Sequence, residues 1–151
     1  MLSVGDGQQL YWETCGNPAG KPALVLHGGP GSGCTPGQRR YFDPERYKIV
    51  LFDQRGGGRS TPRVVATTNL SANTTDHLIA DIERLREHLG INRRLVWGNS
   101  CGTTLGLAYA PRHSARVSEM VLAAVTMTRL AEIHWLYLCP GSNNRTTANQ
   151  A

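Results

Sequence analysis

What the sequence lacks narrows its class before any motif is read. No apolar run approaches the roughly 18–20 residues of a membrane-spanning helix. The longest, from Met120 to Val125, has the length of a strand. No membrane partner is therefore expected. Met1–Thr14 shows neither the basic start nor the long apolar stretch of a secretion signal. The expected location is cytoplasmic, and the Asn73-Thr74-Thr75 sequon is expected to go unused. No Cys-x-x-Cys pair occurs; Cys15, Cys34, Cys101 and Cys139 are widely and irregularly spaced. Neither a zinc site nor a disulfide framework is expected, and reduced thiols fit a cytosol. Lys and Arg number 16 against 11 Asp and Glu, a net charge of +5, yet no basic run exists. The cations are scattered singles and pairs such as Arg39-Arg40 and Arg93-Arg94, without interleaved aromatics, so no nucleic-acid partner is expected. With 40% apolar and 18% charged residues in 151, the chain has the composition of one folded domain and not of a disordered segment.

Short apolar runs alternate with helical patterns. Asp6-Gly7 between Leu2–Val4 and Gln9–Cys15 predicts a hairpin, since both residues accept the positive φ of a tight turn. Ala23–His27, Tyr47–Phe52, Leu95–Trp97 and Val117–Val125 read as buried strands. Thr74–Leu89 carries Leu78, Ile79, Ile82, Leu85 and Leu89 on one face. Thr74 or Thr75 can cap that helix and Gly90 can stop it. A second helix, Cys101–Ala110, is expected to end at Pro111. This alternation predicts a mostly parallel sheet with crossover helices. Thr126–Leu138 is mixed, and Cys139–Ala151 has no apolar periodicity and is expected to be disordered.

Three constellations could carry chemistry. Gly98-Asn99-Ser100-Cys101-Gly102 follows a predicted strand and opens a predicted helix, the setting of a nucleophile elbow. Ser100 would then stand at a helix N-terminus that favours developing negative charge. The competing reading is a plain strand–turn–helix. The second is His27-Gly28-Gly29-Pro30-Gly31, closing the strand Ala23–His27. The backbone N–H groups of Gly29 and Cys101 would together form an oxyanion hole. A phosphate loop is the alternative, but neither Gly-x-Gly-x-x-Gly nor Gly-Lys-Ser/Thr is satisfied. His27 is expected to be structural, hydrogen-bonded within its loop. The third is Asp53–Ser60, expected to be a scaffold in which Asp53 and Arg55 pair; a carboxylate clamp by Arg55 is the alternative.

LHGGPGSGC at Leu26–Cys34, FDQRGGGRSTP at Phe52–Pro62 and GNSCGTTLGLAYA at Gly98–Ala110 resemble the proline iminopeptidases, serine peptidases of the α/β-hydrolase fold. So do VGDGQQLYWETCGNP at Val4–Pro18 and DIERLREHLGI at Asp81–Ile91. The resemblance runs from about Leu2 to Tyr137. It implies release of an N-terminal proline from peptides by a Ser–His–Asp triad, with Ser100 as nucleophile and no metal or organic cofactor. Another serine hydrolase of this fold, such as an esterase, is an alternative that the HGGPG and DQRG motifs oppose. Epoxide hydrolases and haloalkane dehalogenases are excluded by the serine, since they need a carboxylate there.

The chain also departs from that pattern. In this fold the acid and then the His follow the nucleophile, yet no Asp follows Ser100. The later acids are Glu119 and Glu132 and the later histidines His113 and His134, none at a triad position. No triad acid or base is identified. Cys101 replaces the Trp usual after the nucleophile. The expected architecture is thus an incomplete α/β-hydrolase domain, with most of the cap and the C-terminal strands missing. Residues 1–125 form its N-terminal part, 126–138 the start of a helical cap and 139–151 a tail. Alone, such a chain is expected to be inactive, to be completed by a C-terminal fragment, or to be a non-catalytic remnant or binding module.

Overall fold

The computed structural model describes residues 1–29, 31–64 and 70–138. The expectation of a disordered tail at 139–151 lies outside the described residues. The chain opens with β1 (Leu2–Ser3) and β2 (Gln9–Leu10), an antiparallel hairpin. Its turn has Asp6 at φ 52° and Gly7 at φ 68°, the two positive angles that a right-twisted hairpin demands. The expected second arm, Gln9–Cys15, is broken at Tyr11. There the backbone N–H donates to the Ser60 hydroxyl and the carbonyl accepts from Asp53 N–H. The chain beyond this point, β3 (Trp12–Gly16), leaves the hairpin and joins the main sheet.

That sheet also contains β4 (Lys21–Leu26), β5 (Tyr47–Phe52), β6 (Arg94–Asn99) and β7 (Val117–Ala123), in the order β3-β5-β4-β6-β7. β3 is antiparallel to β5; the other neighbours are parallel. Helix α1 (Thr75–His88) connects β5 to β6 and α2 (Cys101–Arg112) connects β6 to β7. Both faces of the central strands are buried, so their apolar runs are continuous and not alternating. Leu24, Leu26, Val50, Phe52 and Val96 pack with Ile79, Ile82, Leu85, Leu105 and Tyr109 of the helices. Ala23, Val25, Ile49, Leu51, Leu95 and Trp97 face the other way, with Cys34 and Phe42.

Thr74 caps α1 by accepting from His77 N–H. Gly90, at φ 64°, turns the chain away after it. α2 runs through Pro111 to Arg112, one turn-end beyond the expected stop. Proline at that point removes one hydrogen bond of the last turn, while His113 N–H still closes the end on Tyr109 O. β7 stops at Ala123 because Ala124 takes φ 50°, so the expected extension to Val125 fails. The mixed stretch 126–138 contains α3 (Leu130–Leu138). At the opposite end of β6 from the elbow, buried Arg94 bonds the Tyr109 hydroxyl, which donates to Glu83 of α1. This network ties β6 to both helices.

Candidate active site

Ser100 sits between β6 and α2 with φ 51° and ψ −124°. A side-chain-bearing residue in that region is strained and persists only where its surroundings impose it. The surroundings are visible in the two flanking glycines. A Cβ on Gly98 would stand 2.7 Å from Gly102 O, and one on Gly102 would stand 2.9 Å from His27 O. The spacing of Gly-x-Ser-x-Gly is thus a packing requirement of the turn. Ser100 N–H donates to Ala123 O at 3.1 Å, holding the elbow to β7. Its carbonyl accepts from Thr103 N–H at 2.8 Å and from the Thr103 hydroxyl at 2.6 Å. Among the described residues the Ser100 hydroxyl caps nothing on α2.

The loop after β4 lies directly on this elbow. A Cβ on Gly28 would be 3.0 Å from Ser100 Cβ and 2.8 Å from Asn99 O. Gly29 turns at φ 62°. The Ser32 hydroxyl secures the loop by donating to Gly28 O at 2.6 Å. Among the described residues, the Gly29 N–H has no acceptor. Cys101 N–H belongs to the first helical turn, whose donors have no intrahelical partner. Gly29, Cys101 and Ser100 are thereby gathered at the junction of β4, β6 and α2.

His27 is buried. Its Nε2 accepts from Gln54 N–H at 3.0 Å, so the proton sits on Nδ1, which donates to Gly28 O at 3.0 Å. Burial pushes its pKa below the ordinary value and keeps it neutral. It serves as a strut between two loops.

The expected pairing of Asp53 with Arg55 does not occur. Arg55 forks onto Asp81 of α1 instead, with Nε and Nη2 each at 2.7 Å from a carboxylate oxygen. It also donates to Asp6 Oδ2 and to Ala72 O. With its side chain buried and all three nitrogens engaged, it is no substrate clamp. Asp53 pairs with Arg59: Oδ2 accepts from Arg59 N and Nε at 2.8 and 2.9 Å, and Oδ1 from Cys34 N at 2.6 Å. Burial works against its charge, but these donors outweigh it and hold the carboxyl at about 2. The reason for the swap is geometric: a guanidinium two residues from a carboxylate points wherever a buried partner waits, and α1 supplies one.

The later acids and histidines do not assemble beside Ser100. Glu119 pairs with Lys21 at 2.5 Å, towards the end of the strands away from Ser100. His113 stacks on Tyr109 and lies 3.7 Å from Glu83. Glu132 accepts from Met127 N and Arg129 N and so caps α3. It shares a cavity wall with Ser100, but its accepting oxygen is committed to those N–H groups. His134 is exposed on α3. Two features escaped the sequence: the stacked pair Tyr41–Trp97 and the Thr103 link from Ser100 to Thr126. A Trp directly before Gly98 was the available signal for the first.

A family profile described as alpha/beta hydrolase fold matches residues 21–151. The chain belongs to the α/β-hydrolase-fold family. Within that family its likeness is to proline iminopeptidases. It is 63% identical over 134 residues to a Streptomyces coelicolor protein named "Probable proline iminopeptidase", covering 88% of this chain and 42% of that protein. It is 55% identical to the proline iminopeptidase of Xylella fastidiosa, covering 91% of this chain and 42% of that one. The crystal structure of a proline iminopeptidase-related protein from Thermus thermophilus superposes with a TM-score of 0.70 at 31% identity, over 80% of this chain and 42% of that chain. The chain therefore spans well under half the length of the relatives it matches. No helix among the described residues is long and apolar enough to cross a membrane.

Proposed function

We propose that this chain supplies the nucleophile and oxyanion-hole portion of a serine aminopeptidase that releases N-terminal proline from peptides. The observation that carries the proposal is the strained backbone of Ser100 at the β6–α2 junction, with the Gly28-Gly29 loop pressed against it. Ser100 is the nucleophile. The N–H groups of Gly29 and Cys101 donate to the developing oxyanion, and the α2 N-terminus adds a favourable field. Proline specificity is supported by the names of the relatives. It is also supported by an apolar cavity of about 510 Å³ beside Ser100, walled by Ala124, Val125, Ala131 and Trp135. In this reading 126–138 begins a cap over the site. A reducing cytoplasm is supported by the unpaired Cys15, Cys34 and Cys101.

A serine hydroxyl needs a base to take its proton. No described histidine bonds Ser100, and no Asp follows it. We therefore assign base and acid to a further C-terminal segment, docking beside β7. The test assays a proline arylamide with the chain alone and with the chain mixed with the C-terminal remainder of the Streptomyces relative. Hydrolysis is expected only in the mixture, and it should vanish in Ser100→Ala. Hydrolysis by the chain alone, lost in Ser100→Ala, would overturn the need for a second segment and direct attention to His134 and Glu132. A docked but inactive mixture would favour a non-catalytic binding module.

A further inference from the structure

Two cavities meet at Ser100 and share no other lining residue. One is the apolar cavity just described. The other, about 330 Å³, lies between residues 28–29 and 32–33, Thr35, Gln38, Tyr41, Trp97 and Asn99. Acyl transfer at a serine divides its substrate in two. The bond from Oγ to the carbonyl carbon forms, the carbon–nitrogen bond breaks, and the hydroxyl proton passes through the base to the departing nitrogen. A nucleophile standing between two cavities of different chemistry therefore sorts the two parts.

The second cavity differs in chemistry from the first. Its wall offers hydroxyls, side-chain amides and loop backbone, and no charged side chain lines it among the described residues. Gln38 Oε1 already accepts from Thr35 N–H at 2.9 Å, which fixes the amide and leaves its NH2 as a donor. At one side stands a preformed aromatic platform. Tyr41 is 64% exposed, yet its ring lies flat on buried Trp97, with centroids 4.6 Å apart and planes 21° from parallel. A ring anchored in this way loses little freedom when a ligand stacks on it.

We propose that this cavity is the subsite for the departing amine component, and that it takes a peptide or amide whose first residue has an uncharged aromatic side chain, stacked on Tyr41. The inference rests on the reading of Ser100 as the nucleophile of an acyl transfer. Tyr41 sets specificity by its ring and Gln38 by its free amide.

The test needs no turnover. Binding of L-phenylalaninamide, glycinamide and L-proline to the 151-residue chain is followed by ligand-observed NMR, with circular dichroism as the fold control. Phenylalaninamide should bind about three- to tenfold more tightly than glycinamide, the range for one aromatic pair. Tyr41→Ala should erase that margin and Tyr41→Phe should keep it. L-proline should bind all three proteins equally and should not displace phenylalaninamide. The subsite is overturned if phenylalaninamide does not bind, if its margin survives in Tyr41→Ala, or if proline displaces it. Phenylalaninamide binding through Tyr41 without any proline binding would sink the proline reading and leave the subsite standing.

Discussion

Gly102, in the first turn of α2, lies against Leu26 at the end of β4: a Cβ built on it would stand 2.8 Å from the Leu26 carbonyl carbon. That contact is backbone on backbone, so no side chain can swing aside. It is also what brings the 27–29 loop up to Ser100. Gly102→Ala should destabilise the fold by about 1–3 kcal/mol through overpacking. Gly106→Ala, one turn later, meets only side-chain atoms at 3.5 Å and beyond. It should stabilise by about 0.5–1 kcal/mol, because alanine loses less chain entropy in a helix. Urea unfolding of the two variants measures both signs; equal effects would contradict this account.

Arg55 and Asp81 are both buried and hold each other by two parallel bonds of 2.7 Å. Arg55→Ala leaves a buried carboxylate with only the half-exposed Arg84, 3.8 Å away, as a cation. The expected loss is about 3–5 kcal/mol, as for other broken buried pairs. Arg55→Met combined with Asp81→Leu should recover most of it, since the uncompensated charge goes as well. A double-mutant cycle in urea tests the coupling. Additive losses would show that the pair is not a unit.

Asp53 gives the fold an acid limit. Its carboxyl is held at about 2, against an ordinary 3.8. A depressed acid contributes stability above its unfolded pKa and loses it as pH falls through the folded one. The contribution is thus complete above about pH 5 and disappears between about pH 4 and pH 2. Its size is on the order of 1–2 kcal/mol, discounted because Arg59 is partly exposed. The urea midpoint should fall over that window in the parent chain and fall less in Asp53→Asn.

Cys34 should be the inert thiol. Burial, and then the neighbouring Asp53 carboxylate, push it up to about 12. The thiolate is the reactive form. With iodoacetamide at pH 8, mass spectrometry should find Cys34 unmodified until denaturant is added. Cys101, which is only half-buried, should react before Cys34. Early labelling of Cys34 would show that the 33–34 turn opens in the native state.

The legible parts of the chain were those decided locally. Tyr47–Phe52 is a six-residue apolar run buried on both faces, and β5 has those limits. Thr74 and Gly90 bracket α1 through hydrogen-bonding capacity and permissive φ, which belong to the residues themselves. The elbow was legible because its glycines answer to contacts within a few residues and one strand. Partner choice was not legible. Arg55 sits two residues from Asp53 but is satisfied by Asp81, 26 positions on, because the packing of α1 decides which carboxylate is buried beside it. Tyr41 meets Trp97 across 56 residues of sequence, and no periodicity records that. Pro111 failed to end α2 because only the final turn is affected.

The fastening of the hairpin has a consequence for synthesis on the ribosome. Asp6 is held by Arg55, Gln9 is bridged to Thr61, and Val4 O receives Arg84 from α1. Residues 1–10 are made before all three of these partners, and the last of the three contacts waits until Arg84 has followed. At about 5–20 residues per second, that wait lasts about 4–15 seconds. Residues 1–10 are thus made well before they are fully fastened. An extension fused ahead of Met1 acts on the molecule while that segment is still unfastened.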